Sequence, residues 1–154
     1  VYENSVVTRY SNKAVVYGSL YGDDINLTIP IYSASTYYPI RTGLTTDFAY
    51  NIQVLSASTF NTLISGIYKV DWALSVQCAT AGQYIEGAVM INGVYKQNAI
   101  GATEIPSANK KVHISSSGIY NLSANTKVRL CIENETGANN VVVDHASFVI
   151  TRLS

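Results

Sequence analysis

The sequence predicts an all-β protein, an antiparallel β-sandwich or jelly roll of about eight to ten strands. The clearest observation is the segment 66–78, GIYKVDWALSVQC, in which apolar and polar residues alternate. Because side chains on a strand point to alternate faces, this pattern is typical of a strand with one buried face and one wet face. No segment has a convincing helical period, and similar strand-like runs recur between turn signals.

The predicted elements begin after residues 1–13, which are polar and weakly patterned and which we interpret as an arm or linker. Residues 14–154 are expected to form a single domain. The predicted strands are 14–21, 25–31 (towards a sheet edge, because of Pro30), 48–55, 66–78, 84–97 (a hairpin that turns at Asn92-Gly93), 112–115, 119–122, 127–133 and 141–153. Polar loops are expected at 33–46, with a short strand near 37–41, and at 98–111.

The composition restricts the expected partners. Lys plus Arg and Asp plus Glu number 10 each, so the formal net charge is zero, and only 13% of the 154 residues are charged. Without a basic patch or a long apolar run, neither nucleic acid binding nor membrane insertion is expected. A neutral, lightly charged chain tends to associate, which favours an obligate oligomer. Cys78 and Cys131 match no zinc motif; a bridge between them stays open, and two unpaired thiols are favoured.

The last predicted strand, 141–153, is apolar on both faces. The apolar residues at even positions are Val142, Ala146, Phe148 and Ile150. Those at odd positions, which point to the other face, are Val141, Val143, Val149 and Leu153. Since a strand of an antiparallel sandwich normally has one wet face, the second apolar face predicts packing against another copy of the chain. The predicted oligomer-interface residues are Val141, Val143, His145, Val149, Leu153 and Tyr17.

Tyrosine is unusually frequent, with 12 residues against three phenylalanines. Tyrosine suits surfaces that are partly apolar and partly wet, such as subunit interfaces and ligand-contact loops, although the preference of strands for aromatic residues is an alternative explanation. Tyrosine rings can stack on sugar faces while polar groups bind hydroxyls. The contact loops are expected at 33–46, 80–86 and 98–111, and the candidate ligand-contact residues are Tyr37, Tyr38, Tyr84 and Asn98.

No catalytic, cofactor-binding or metal-binding constellation is predicted, and we expect no enzyme and no cofactor. Asp144 and His145 are adjacent on a strand, so their side chains are expected on opposite faces and unable to pair. No Gly-x-Ser-x-Gly elbow accompanies them. The acidic pair at 23–24 offers too few oxygens for calcium and favours a turn. Glu133 and Glu135 flank a turn and are expected to be solvated.

Four pieces follow one another in a set order in the second half of the chain. They are GIYKVDWALS, the hairpin VMINGVYK, the segment SSSGIYNLSANTKVRLCIEN and the closing HASFVITRL. In this order they resemble the trimeric jelly-roll family of complement-type globular heads and tumour-necrosis-factor-like domains. The resemblance covers about residues 64–154, and the first 60 residues fit more loosely. It implies a compact homotrimer with the terminal strands near the three-fold axis.

The resemblance also carries an expectation about function. Members of the family occur on spore surfaces and in virion proteins, and the Ser-, Thr-, Asn- and Tyr-rich composition is similar to those microbial and viral versions. This implies a non-enzymatic, extracellular structural or attachment module, with a virion (phage fibre, tail or capsid decoration) as the favoured assembly. Its expected partners are other virion proteins and a cell-surface glycan or protein receptor. The alternatives are a stand-alone carbohydrate-binding lectin and a spore-surface or signalling head.

Overall fold

The computed structural model describes residues 14–154, so the predicted arm at 1–13 lies outside the described residues. The described chain forms twelve β-strands and no helix. In chain order these are β1 Tyr17–Gly22, β2 Leu27–Ile29, β3 Tyr38–Pro39, β4 Thr45–Tyr50, β5 Ile52–Leu55, β6 Thr59–Thr62, β7 Gly66–Gln77, β8 Gln83–Ile91, β9 Val94–Ile105, β10 Val112–Leu122, β11 Lys127–Asn134 and β12 Val141–Arg152. Within 14–154, no helix is present that could cross a membrane.

The strands form two antiparallel sheets that pack face to face as a sandwich. The first sheet has the order β10-β7-β12-β1-β4, with β2 paired to β12. The second has the order β5-β6-β11-β8-β9, with β3 paired to β11. The prediction of an all-β, antiparallel jelly roll is confirmed.

The number of strands is twelve rather than eight to ten, because several boundaries differ from the prediction. The predicted strand 48–55 breaks into β4 and β5 at Asn51, whose φ of 54° is left-handed and cannot continue a strand. The segment 56–65, which lies between two predicted strands, contains β6. The loop predicted at 98–111 is shorter, since β9 continues to Ile105, and 112–122 is one strand instead of two.

The core lies between the two sheets and is built on the alternation seen in β7. Tyr68, Val70, Trp72 and Leu74 are all at most 3% exposed. The indole Nε1 of Trp72 donates a hydrogen bond to the carbonyl oxygen of Ala99 at 3.3 Å, so its polar atom is satisfied inside the core. The prediction of one buried face and one wet face for this strand is therefore confirmed.

A β-bulge in β12 changes the interpretation of the last strand. Val143 pairs with Val76 of β7, whereas His145 pairs with Ser75, so that Asp144 is the extra residue. One inserted residue moves all following side chains to the other face. Val141 and Val143 therefore face the same core as Phe148 and Ile150 beyond the bulge, and all four are fully buried.

The bulge corrects two of the predicted oligomer-interface residues. Val141 and Val143 belong to the core of the subunit and are not on its surface. Apolar residues occur at both odd and even positions of 141–153 mostly because the bulge changes which positions point to the core, from odd before it to even after it. They are not evidence for a second apolar face along the whole strand.

Candidate functional site

A cleft of about 690 Å³ opens on the outer face of the second sheet. One wall comes from the segment before β3, which contributes Ser35, Thr36 and Tyr37. The floor and the opposite wall come from β8, β9 and the end of β11. We call this cavity the acidic cleft because it is lined by the three carboxylates of Glu86, Glu133 and Glu135.

The pairing of β8 with β11 places the carboxylates together. Glu133 lies directly opposite Glu86 in this pairing, and both side chains point away from the core. One oxygen of each of Glu86, Glu133 and Glu135 lies within 4.8 Å of the others. Glu133 is only 6% exposed, so the prediction that it is simply solvated is wrong.

Two tyrosines form the aromatic wall of the acidic cleft. The rings of Tyr37 and Tyr95 stack with their centroids 4.3 Å apart. The Tyr37 hydroxyl donates a hydrogen bond to Oε2 of Glu86 at 2.8 Å. Below the rings, Met90 belongs to a small buried apolar cluster on the outer face of the sheet, against which Ile100 packs.

The electrostatics of the acidic cleft follow from burial and like charge. Burial, followed by the neighbouring Glu86 carboxylate, raises the pKa of Glu133 to about 7. Burial and the hydrogen bond to Glu86 raise the pKa of Tyr37, so that its hydroxyl stays a donor. Acceptor oxygens and ring faces therefore meet in one concave site, which is suited to binding a ligand.

The predicted ligand-contact residues are spread over the surface. Tyr37 lies in the acidic cleft, but Tyr38 lines a separate cavity of about 350 Å³. There the rings of Tyr38 and Tyr32 pack edge to face, with their centroids 5.7 Å apart. Tyr84 and Asn98 are exposed and line neither cavity. The predicted residues are thus not brought together, and the residues that accompany Tyr37 were not among them.

The outer face of the first sheet carries the second feature of interest. Tyr17 stacks on Phe48 with centroids 4.6 Å apart and an interplanar angle of 6°, and Tyr50 lies 6.4 Å from Tyr17. All three rings are between 37% and 50% exposed. We call Tyr17, Phe48 and Tyr50, on β1 and β4, the aromatic strip.

A shallow depression of about 440 Å³ lies on the same outer face, in the other half of the sheet. It runs over β10, β7 and β12 and is lined mainly by small side chains. We call it the serine groove, and its residues include Asp71, Ala73, Ser115, Ser117 and Ser147. The one charged pair beside it is the ion pair between Lys69 Nζ and Asp71 Oδ1 at 2.9 Å.

The remaining predicted oligomer-interface residues are at the surface. Tyr17 belongs to the aromatic strip, and Val149 is half-buried on the outer face of β12. Leu153 is 49% exposed. The side chain of His145 is 43% exposed and lies beside the bulge.

A group of charged side chains surrounds the bulge of β12. His145 Nε2 lies 3.2 Å from Oδ2 of Asp144, and His145 Nδ1 lies 2.8 Å from Oδ1 of Asp23. The prediction that Asp144 and His145 cannot pair is wrong, because the bulge breaks the strand alternation on which it depended. Lys111 Nζ contacts the buried carboxylate of Asp144, and this hydrogen bond raises the pKa of Lys111.

This group has a structural role that its contacts explain. The backbone N–H of Ile25 donates to the carbonyl oxygen of Asp144 at 2.9 Å, so the 22–25 turn is attached to the bulge. Lys111 supplies the charge that the buried Asp144 needs.

The two cysteines are free and buried. Burial raises the pKa of Cys78 to about 11 and that of Cys131 to about 12.

No protein family has a sequence profile that matches the chain, and no curated protein matches it. Solved structures do match. The tumour necrosis factor Eiger of S. frugiperda superposes with a TM-score of 0.67 at 10% identity, over 91% of this chain and 93% of that chain. The globular domain of zebrafish complement 1qA superposes with a TM-score of 0.58 at 13% identity, over 90% of this chain and 98% of that chain. The crystal structure of murine APRIL at pH 5.0 superposes with a TM-score of 0.58 at 11% identity, over 89% of this chain and 99% of that chain.

These similarities identify the fold. The chain is a jelly roll of the type found in tumour-necrosis-factor-like and complement C1q-like heads. The expected fold of the resembled family is thus confirmed. At 10% to 13% identity the similarity concerns the fold and does not transfer a function.

Proposed function

We propose that this chain is a non-enzymatic homotrimeric module that serves as a structural or attachment component of an extracellular assembly. A virion, in which it would be a fibre, tail or decoration component, is the assembly we favour. The fold supports a trimeric head, and the weakly charged, hydroxyl-rich surface supports a structural role. The observation that carries the proposal is the pairing of the aromatic strip with the serine groove on one sheet face.

The two patches lie side by side on the outer face of the first sheet and differ in the size of their side chains. The aromatic strip presents three large, partly exposed rings, and the serine groove presents small side chains around a depression. Rings of one subunit can fill the groove of the next, which gives a heterologous contact. A heterologous contact closes into a ring when its rotation allows, and three subunits is the closure expected from the fold.

This arrangement leaves the acidic cleft free. The aromatic strip and the serine groove lie on the first sheet, whereas the cleft lies on the outer face of the second. A trimer built through the first sheet would therefore present three clefts outward. We infer that attachment to a receptor takes place there, through Tyr37, Tyr95 and the neighbouring carboxylates.

Sedimentation equilibrium tests the trimer. The native chain of 16.7 kDa is expected at about three times that mass at micromolar concentration. Phe48→Asp, which puts a charge into the aromatic strip, should shift the mass towards the monomer. Tyr84→Asp, at an exposed tyrosine outside the strip, should not. A stable native monomer would refute the trimer, and equal effects of both variants would refute this surface as the interface.

A stand-alone lectin is the second candidate, because stacked tyrosines beside carboxylates are also suited to sugars. A glycan array of the isolated protein distinguishes the two. Strong glycan binding would favour the lectin, whereas tight incorporation into a larger particle without glycan binding would favour the scaffold. The neighbouring genes separate a virion component from a spore-surface or signalling head, since virion genes cluster.

A further inference from the structure

The acidic cleft contains negative charge without a counter-charge. Within residues 14–154, no Lys, Arg or His nitrogen lies within ion-pair distance of Glu86, Glu133 or Glu135. Glu133 is more than nine-tenths buried and lines the cleft. A buried carboxylate is costly unless it is paired with a positive charge. The cleft is therefore electrostatically incomplete in the subunit alone.

Among the described residues, none donates a hydrogen bond of good geometry to the Glu133 carboxylate. The Glu86 carboxyl and the Tyr37 hydroxyl are near enough to shift the pKa of Glu133, Glu86 upward and Tyr37 downward. The single Tyr37 proton, however, is donated to Glu86 at 2.8 Å. Its oxygens therefore face the open cleft and are available to a group that enters it.

The walls of the cleft define the shape of that group. Tyr95, stacked on Tyr37 and 40% exposed, has an aromatic ring that attracts cations, and Met90 and Ile100 offer an apolar surface next to the carboxylates. A calcium ion needs six to eight oxygen ligands and has no use for aromatic rings or a thioether. A volume of about 690 Å³ is also far larger than a bare ion requires. An ammonium or guanidinium group on an apolar stem fits all of these features.

We propose that the acidic cleft binds an organic cation, namely the side chain of a lysine or arginine exposed on a protein partner. The charged end pairs with Glu133 and Glu86, and the ring of Tyr95 packs against it. The apolar stem lies along Met90 and Ile100. This inference rests on the proposed attachment function only for its biological use, because all the residues that line the cleft come from one subunit.

Titration followed by NMR or calorimetry tests the chemistry with defined probes. These are a short peptide with one lysine, the same peptide with that lysine acetylated, n-butylamine, Ca²⁺ and a neutral oligosaccharide. We expect the lysine peptide to bind and acetylation to weaken binding about ten- to a hundredfold, the equivalent of a lost charge-assisted contact. High salt should weaken binding as well.

Variants locate the site. Glu133→Gln, which keeps the shape of the side chain, should weaken lysine-peptide binding at least about tenfold, and Tyr95→Ala should weaken it too. Glu104→Gln removes an exposed carboxylate of β9 outside the cleft and should have no effect. Equal binding by native protein and Glu133→Gln would overturn the proposal, as would equal binding of the acetylated peptide.

The other probes decide between ligand classes. Tight Ca²⁺ binding that Glu133→Gln abolishes, without peptide binding, would replace the organic cation by a metal and overturn the proposal. Binding of the oligosaccharide alone would do the same in favour of a sugar. Butylamine binding more than tenfold tighter than the peptide would overturn the assignment to a protein partner. Sedimentation of the same samples keeps the two proposals apart, since a trimer that binds no peptide refutes only this one.

Discussion

Glu133→Gln is expected to make the protein more stable at pH 8 and to leave its stability unchanged at pH 4. The carboxyl of Glu133 has a pKa of about 7 in the folded protein, raised from 4.5 by burial and then by Glu86. Between these two pH values the folded protein keeps a proton that the unfolded chain has released. The native protein therefore loses stability as the pH rises through this interval, and the loss is complete above pH 7.

The size of the effect follows from the shift in pKa. One pKa unit corresponds to about 1.4 kcal/mol, so the ionised carboxylate costs the folded state at most about 3 kcal/mol. Solvent at the mouth of the cleft screens part of this cost, and we expect about 2 kcal/mol. Glutamine has almost the same shape and carries no charge, so it removes the cost without leaving a cavity.

Urea denaturation at pH 4 and pH 8 measures the difference. Both proteins are compared at one concentration, because the proposed association of subunits would also contribute to stability. Glu104→Gln, at an exposed site, serves as the matched control and should change stability by less than about 0.5 kcal/mol at either pH. A Glu133→Gln variant that is less stable than the native protein at pH 8 would refute the reasoning. It would mean that the carboxylate has a stabilising partner.

Two further predictions concern the core. Gly87→Ala should destabilise the protein by about 1 to 3 kcal/mol in urea denaturation, because a Cβ there would lie 2.7 Å from Cη2 of Trp72. Gly137→Ala, whose Cβ would meet no atom closer than 3.7 Å, is the control; equal losses would contradict this packing. Cys78 and Cys131 should not react with a thiol reagent at pH 8 in the native protein, and both should react in urea. Rapid labelling of the native protein would show that the core opens.

The strands with one wet face were the part of the fold that the sequence predicts best. In β7 the even-numbered residues from Tyr68 to Leu74 are all apolar, and the structure buries each of them. The short strands are less predictable. The short strand expected near 37–41 is confirmed as β3, whereas the four-residue β6 lies where no strand was predicted and pairs with β5 and β11. The sequence of β6 carries little strand signal of its own.

The acidic cleft was not predictable for a related reason. Glu86 and Glu133 are distant in sequence and become neighbours only through the register of β8 with β11. Glu133, taken alone, looks like a solvated residue near a turn, and Glu86 is one polar residue within a predicted strand. Tyr37 could be proposed as a contact residue because a loop rich in tyrosine is itself a signal. Its partners have no such signal, since a single sequence does not contain the register of two distant strands.

The last strand shows what a sequence pattern can and cannot distinguish. A strand that is apolar on both parities has two physical explanations: a second buried face, or one buried face interrupted by a bulge. The position of the apolar residues separates them. The core-facing residues Val141 and Val143 are at odd positions before Asp144, whereas Ala146 and Phe148 are at even positions after it. This change from odd to even positions is what a one-residue bulge produces.

A true second face would keep both parities apolar along the full length of the strand. Beyond the bulge the outer parity instead reads His145, Ser147, Val149 and Thr151, which is mixed rather than apolar. Support for oligomerisation comes instead from the aromatic strip of β1 and β4. There the rings of Tyr17, Phe48 and Tyr50 are exposed together on the outer face, on both strands of a pair whose register shifts at Asp47. Aromatic residues are enriched in subunit contacts and exposed apolar patches mark interaction surfaces, which supports the proposal that the aromatic strip lies in the contact.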